Sequence, residues 1–237
     1  MFDTYTLRAR VYPTIILLFP ILLLGVQYSI EFATLIPFFT SSIIVGALWY
    51  FLAHLGRTFG KKKEKELWAE WGGAPSIQLL RWRNNEIDDH TKERYHNHLQ
   101  RLAPVPVLPD HASEMANPAV ADGVYQSWNR FLLRNTRDTK KFPLIYKENA
   151  GYGYRRNLWG LRPIGIFVLV AIILGNYIHA AYLHQNWQLL GMSANFYFIQ
   201  GAQIALLLLW IVVIRKDWVK AAAFAYADRL IEAIPTL

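Results

Sequence analysis

The 237-residue sequence contains no cysteine. Disulfides, zinc–thiolate sites, iron–sulfur clusters and a cysteine nucleophile are therefore excluded. Charged residues are scarce at 18%, against about a quarter in ordinary soluble domains. Phosphate-loop, GxSxG and HExxH patterns are absent. Gly151-Tyr152-Gly153-Tyr154 has no further glycine after it and no strand before it, so it is no phosphate loop. No residue pattern names an enzymatic nucleophile.

What the chain has in quantity is apolar sequence, 54% of its residues, concentrated towards the two ends. Four stretches are long enough to cross a hydrocarbon core of ~30 Å, which needs ~20 helical residues. They run from about Val11 to Tyr28, Phe32 to Leu55, Ile164 to Leu183 and Phe196 to Ile214, and none carries Lys, Arg, Asp or Glu in its core. Pro13, Pro20 and Pro37 do not argue against helices, because membrane helices tolerate proline better than soluble ones. Trp49, Tyr50, Trp159, Tyr182, Trp187, Trp210 and Trp218 fall near the predicted ends and read as interfacial belts.

The formal net charge of +8 follows the same division. Of the twenty-five Lys and Arg residues, nineteen lie between Arg57 and Arg162. Arg8 and Arg10 precede the first stretch; Arg215, Lys216, Lys220 and Arg229 follow the last. The connections between stretches one and two, and three and four, carry none. Four alternating spans place every basic residue on one side, and the positive-inside rule makes that side cytoplasmic. A cleaved signal peptide is the competing reading of the first stretch. Its apolar run is long for that role, no small-x-small site follows it, and cleavage would leave three spans. The expectation is an all-α membrane protein of four transmembrane helices, two plus two, with a central helical cytoplasmic domain. Its parts are residues 1–56 (tail and first two spans), 57–160 (helical domain), 161–214 (last two spans) and 215–237 (cytoplasmic tail).

The insert reads as helices. Phe59 to Trp71 continues the second span until Gly72, Gly73 and Pro75 break it. Ser76 to Arg83 is a short helix, and Asp88 or Asp89 caps another through Leu102. APVPVLP, through Met115, reads as an extended linker. Asn117 caps a helix with Pro118 at its first position, running to about Asn135. Asp138 to Trp159 leads into the third span.

The helix after Asn117 carries Val120, Val124, Trp128, Phe131 and Asn135 at core spacing, with Leu132 beside them. Its opposite side carries Arg130, Arg134, Arg137 and Lys141, a basic stripe if the helix runs through Thr136. That stripe reads either as a solvated face touching lipid headgroups or as the acceptor of an anionic ligand, an acidic protein surface or a nucleotide phosphate. The remaining basic clusters suit an anionic inner leaflet, at roughly 1 kcal/mol per residue. Topology therefore accounts for most of the charge, and no nucleic-acid-binding signature accompanies it.

Asp88, Asp89, His90, Glu93, His96 and His98 form the densest group of candidate ligands. Asp89, Glu93 and His96 share a helical face and could hold a divalent metal, although the spacing matches no established site and Lys92 and Arg94 interrupt it. His54, His179 and His184 invite haem ligation. His179 lies ~25 Å along the bilayer from the end that holds His54, at 1.5 Å per residue, so the two cannot straddle one iron. No cofactor is expected. Within the spans, Thr40, Ser41 and Ser42 lie together, Asn176 shares a face with His179, and Gln200 shares one with Gln203. Polar groups in hydrocarbon face a neighbouring helix or water. Helix packing, a subunit interface and a conducting path all meet that demand.

LWAEWGGAPSIQLLR (Leu67 to Arg81), TKERYHNHL (Thr91 to Leu99), NTRDTKKFPLIYKEN (Asn135 to Asn149) and YGYRRNLWGLRPIG (Tyr152 to Gly165) give the insert a distinctive signature. In these stretches the chain resembles a group of bacterial inner-membrane proteins built as two spans, a cytoplasmic helical insert and two further spans. The resemblance implies a bacterial plasma membrane location and no catalytic residue, while the charge pattern puts both termini inside. Three functions follow as expectations. The first is a non-enzymatic membrane protein, a homo-oligomer or one with a cytosolic protein partner, whose helical domain receives a partner or anionic signal; membrane effectors and pores of bacterial antiphage defence share that architecture. The second is a membrane anchor for a larger complex. The third is a metal-dependent enzyme acting on lipid.

Overall fold

The computed structural model describes residues 4–28 and 42–237, with side chains over 5–25 and 50–237. Among the described residues there are helices and no strand. One helical turn (Thr4–Thr6) and a π-helical turn (Leu7–Val11) lead into α1 (Tyr12–Tyr28). Then come α2 (Ser42–Trp71), α3 (Pro75–Leu80), α4 (Asp89–Leu102), α5 (His111–Ala116), α6 (Pro118–Asn135), α7 (Pro143–Leu183) and α8 (Ala194–Leu208). A second π turn (Leu209–Val213), α9 (Lys216–Glu232) and a 3-10 turn (Ile234–Thr236) complete the chain.

Among the described residues, three helical segments are long and apolar enough to cross a membrane: Leu7–Gly25, Pro143–Leu183 and Ala194–Val213. They coincide with the first, third and fourth stretches expected. The second stretch begins outside the described residues. Its described part is α2, which continues without a break to Trp71. The separate helix expected from Asp138 is instead the first part of α7, which starts at Pro143.

The chain divides into two compact units. The apolar unit comprises Met1–Lys63 and Gly153–Val219; the helical unit comprises Glu64–Tyr152 and Lys220–Leu237. In the apolar unit, Leu17, Leu158, Leu161, Leu169, Trp210 and Ile214 form a buried cluster. Trp210 is fully enclosed there, and Gly165 leaves room for its ring: a Cβ at that position would come within 2.8 Å of it. The interfacial role expected of Trp210 is thus replaced by a core role. α2 and α7 approach most closely at glycines. A Cβ on Gly160 would meet the Gly60 backbone, 2.8 Å from its Cα, and one on Gly56 would sit 3.1 Å from Leu161. Gly56 and Gly60 are four residues apart on α2, the small-xxx-small spacing that lets membrane helices touch through their backbones.

Both π turns face polar side chains of α7. Asn157, buried, donates its amide to the Ala9 carbonyl at 2.6 Å. Thr14 donates its hydroxyl to the Arg10 carbonyl at 3.0 Å. At the second π turn, Arg162 donates to the Trp210 carbonyl at 3.1 Å and the Ile211 carbonyl at 3.2 Å. A π turn displaces carbonyls from the regular ladder, and a side-chain donor satisfies them where lipid cannot.

The helical unit has its own core: Leu79, Leu80, Leu99, Tyr125, Trp128, Leu132, Ile145, Leu230, Ile231 and Ile234, among others. The last three belong to the segment expected to be a tail, so residues 220–237 are part of the domain rather than an appendage to it. The local signals account for its helices. Gly72 (φ +86°) and Gly73 (φ +128°) end α2 in a Schellman arrangement, with Gly73 N–H donating to Trp68 O at 2.7 Å and Gly72 N–H to Ala69 O at 3.3 Å. Asp88 caps α4 by accepting from Thr91 N. Asp110 and Ser113 cap α5 reciprocally, and Asn117 caps α6 by accepting from Val120 N. α5 lies within the stretch expected to be an extended linker. The face α6 buries is Ala121, Tyr125, Trp128 and Leu132, whereas Val120 on the expected face is 64% exposed. The register turns by one residue because Tyr125 and Trp128 both find hydrogen-bond partners inside.

Candidate functional site

The polar centre of the helical unit is the connection between α3 and α4. The Glu114 carboxylate, 1% exposed, accepts from Trp82 N (2.9 Å), Arg83 N (3.2 Å), the Arg83 guanidinium (2.9 Å) and the Tyr125 hydroxyl (2.6 Å). Burial by itself pushes this carboxyl upward. The hydrogen bonds from Tyr125, Trp82 and Arg83 outweigh it and hold the group below the usual carboxylate range. The same burial and the Glu114 charge push the Tyr125 phenol far up, so it stays a donor. Asp122 takes a two-pronged contact from Arg81 (2.8 and 2.9 Å) and a further one from Arg83 (2.9 Å). The Trp82 indole N–H donates to Pro109 O at 2.8 Å. This constellation fastens one loop to α5 and α6.

The metal reading of Asp89, Glu93 and His96 does not survive this geometry. His96 points inward: it is 1% exposed, its Nε2 lies 2.8 Å from the Leu80 carbonyl, and its ring packs against Trp82, Tyr125 and Trp128. Glu93 is exposed. Asp89 is 60% exposed and lies 3.4 Å from His111 and 3.6 Å from the Lys92 ammonium. Among the described residues no three His, Asp or Glu side chains are placed to share a metal. Burial holds His96 down at about 4, so it is a neutral core histidine at neutral pH. Lys92, also 1% exposed, donates to the carbonyls of Trp82 and Asn84.

The basic stripe is interrupted. α6 ends at Asn135, where Thr136 folds its hydroxyl back onto the Leu132 carbonyl. The Asp138 carboxylate then turns the chain by accepting from Lys140 N and Lys141 N. Arg130 and Arg134 therefore share the helix, while Arg137 and Lys141 stand on the turn after it. All four are exposed. Lys141 lies over the Phe142 ring, 5.0 Å from its centroid.

Arg130 lines a cleft of about 170 Å³ that the stripe did not reveal. Trp68, Gln126, Asn129, Tyr152 and Tyr226 contribute to its walls. Tyr152 and Tyr226 are nearly parallel, with centroids 6.3 Å apart, and the Tyr152 hydroxyl donates to Glu64 at 2.8 Å. Trp68 Nε1 and Asn129 Oδ1 are both buried without a hydrogen-bond partner. Sequence periodicity could not find this cleft, because its walls come from α2, α6, α7 and α9.

The polar residues of the spans pack inward. Gln203 is fully buried and Asn176 nearly so, whereas His179 is exposed. Gln200 donates to the Ile173 carbonyl at 3.1 Å, joining α8 to α7. Ser41, and the side chain of Ser42, lie outside what the structure describes.

Set against protein-family models, curated proteins and solved structures, the chain matches none. The functional reading therefore rests on the residues alone.

Proposed function

We propose that this chain is a four-span protein of a bacterial inner membrane, with both termini and the helical unit in the cytoplasm, and that the helical unit receives an anionic ligand or acidic partner on behalf of the membrane part. It is a non-enzymatic effector of the kind that couples a cytosolic signal to a membrane response, and it works as a homo-oligomer or with a cytosolic partner. Three apolar helices and the confinement of Lys and Arg to one side of the apolar stretches support the membrane location.

One observation carries the reading. Arg81 and Arg83, which hold the loop, are paired with Asp122 and Glu114. Arg130, Arg134, Arg137 and Lys141 are exposed and, among the described residues, have no carboxylate within ion-pair distance. A domain that matches charges where its fold needs them leaves these four open to an outside anion.

The test has two parts. Reporters placed after Leu237 and near Gln188 should report cytoplasm and exterior respectively; the reverse at either point refutes the topology. Expression should depolarise the membrane when the system is triggered, and Arg134→Glu with Arg137→Glu should abolish that response while leaving insertion intact. Stable co-purification with a partner and no depolarisation in any state would instead assign the chain to anchoring.

A further inference from the structure

We infer that the cleft between α4 and the C-terminal turn is a binding site for a phosphorylated ligand, whose phosphate or diphosphate group is held between Arg94 and Arg101. It shares no residue with the exposed group of Arg130, Arg134, Arg137 and Lys141, and it stands on observations of its own.

The cleft is about 470 Å³, inside the ~300–1,000 Å³ of pockets that take small molecules. It is lined by Arg94, Tyr95, Asn97, His98, Arg101 and Pro235. Residues 94, 97, 98 and 101 recur at i, i+3, i+4 and i+7, so one face of α4 presents them together. The other wall is Pro235, in the turn Ile234–Thr236. Ile234 is fully buried, and the Thr236 hydroxyl donates to Ala233 O at 2.8 Å, so this turn is anchored. Tyr95 packs against the core of the helical unit. The walls therefore belong to fixed elements, while Arg94 and Arg101 are exposed.

Charge sets the sign of the ligand. No carboxylate lines the cleft. Among the described residues neither arginine has a carboxylate within ion-pair distance, whereas Arg81, Arg83 and Arg229 of the same unit all do. Glu232, whose charge reaches Tyr95, is held by Arg229. Asp88 is occupied as the cap of α4, accepting from Thr91 N. Arg94 gives one amino group to the Thr91 hydroxyl at 2.8 Å and keeps the rest of its fork. Arg101 by itself would complement the negative end of α4; Arg94, two turns earlier, has no such role. Geometry sets the class. The two arginines start about 10 Å apart along the helix, at 1.5 Å per residue. One guanidinium fork matches both oxygens of a carboxylate. A phosphate or diphosphate has oxygens left to face a second fork, and a charge of about −2 that two guanidinium groups balance. Asn97 adds an amide donor.

The phosphate can arrive on a soluble molecule or on a lipid headgroup, and the experiment separates the two. Titration calorimetry on the full chain in neutral detergent micelles uses pyrophosphate, inorganic phosphate and acetate at one ionic strength. Saturable binding of pyrophosphate is expected, weakened about tenfold or more by Arg94→Gln and by Arg101→Gln. Lys147→Gln, at an exposed position outside the cleft, should leave it unchanged. Acetate should not bind. The lipid arm is native mass spectrometry of the chain in micelles containing phosphatidic acid. A lipid adduct that pyrophosphate displaces and both arginine changes abolish assigns the phosphate to a headgroup; without such an adduct, pyrophosphate binding assigns it to a soluble ligand. Both arginines are exposed, so their replacement leaves the fold intact. No binding of pyrophosphate, binding indifferent to both arginine changes, or acetate binding as tightly as pyrophosphate each overturns the site. If pyrophosphate fails while the Arg134 and Arg137 reversals still abolish depolarisation, the receiver reading stands and this site falls.

Discussion

The Tyr125 hydroxyl donates to the buried Glu114 carboxylate at 2.6 Å, and through that carboxylate α6 holds the backbone of Trp82 and Arg83. Removing the carboxylate orphans two backbone N–H groups and a phenol at once, while the Arg83 guanidinium keeps Asp122. Glu114→Ala should cost the helical unit about 3–5 kcal/mol, at about 1–3 kcal/mol for each donor it leaves buried and unpaired. Tyr125→Phe should cost less, about 1–3 kcal/mol. Asp122→Asn should cost less than Glu114→Ala because its side chain is 32% exposed. Denaturant unfolding followed by circular dichroism ranks the three; a neutral Glu114→Ala refutes the clamp.

His96 makes the unit sensitive to acid. Its folded value of about 4 lies below the ordinary ~6.5, so between these limits the unfolded chain binds more protons. Stability is complete above pH ~6.5 and falls as pH drops toward 4, by up to about 3 kcal/mol. Melting temperatures across that window should decline for the native chain and decline less for His96→Gln. Parallel declines would remove His96 as the cause.

Gly160 should tolerate no side chain. Gly160→Ala drives a methyl into the Gly60 backbone and should cost about 1–3 kcal/mol through strain and displaced helices. Gly175→Ala and Gly201→Ala meet nothing within 4 Å and should be neutral or slightly stabilising. Thermal stability in detergent separates the two classes; equal behaviour would refute the close approach of α2 and α7.

Asn157→Leu should destabilise the apolar unit by about 1–3 kcal/mol, since it strips the Ala9 carbonyl of its donor and the Arg156 guanidinium of an acceptor at 3.3 Å. Resistance to denaturing detergent on gels measures this. Asn157→Asp, which keeps the acceptor and loses the donor, should fall between.

Local chemistry was legible in the sequence and long-range pairing was not. Asp88 and Asn117 as caps, and Gly72 with Gly73 as a stop, are dictated by residues within five positions of one another, and they fold as read. α5 escapes a reading of the sequence because the proline run before it masks the reciprocal cap of Asp110 and Ser113. The face of α6 was misjudged by one residue, because hydrophobicity ranks Val120 and Val124 above Tyr125, while Tyr125 has Glu114 to bond with. His96 read as a ligand because its burial is set by Leu80, Tyr125 and Trp128, all distant in sequence. Of the basic stripe, Arg130 and Lys141 line separate clefts, and nothing in their local sequence marks either out. The π turns carry no sequence signal; they depend on Asn157 and Arg162.

The C-terminal residues that close the helical core also set an order of events during synthesis. Leu230, Ile231 and Ile234 are made only after both later apolar helices. At ~5–20 residues per second, the segment from Glu64 to Tyr152 waits several seconds for these last members of its core. Its core is thus completed only after the two later apolar helices have been synthesised, so a chain stalled within them carries an unfinished core.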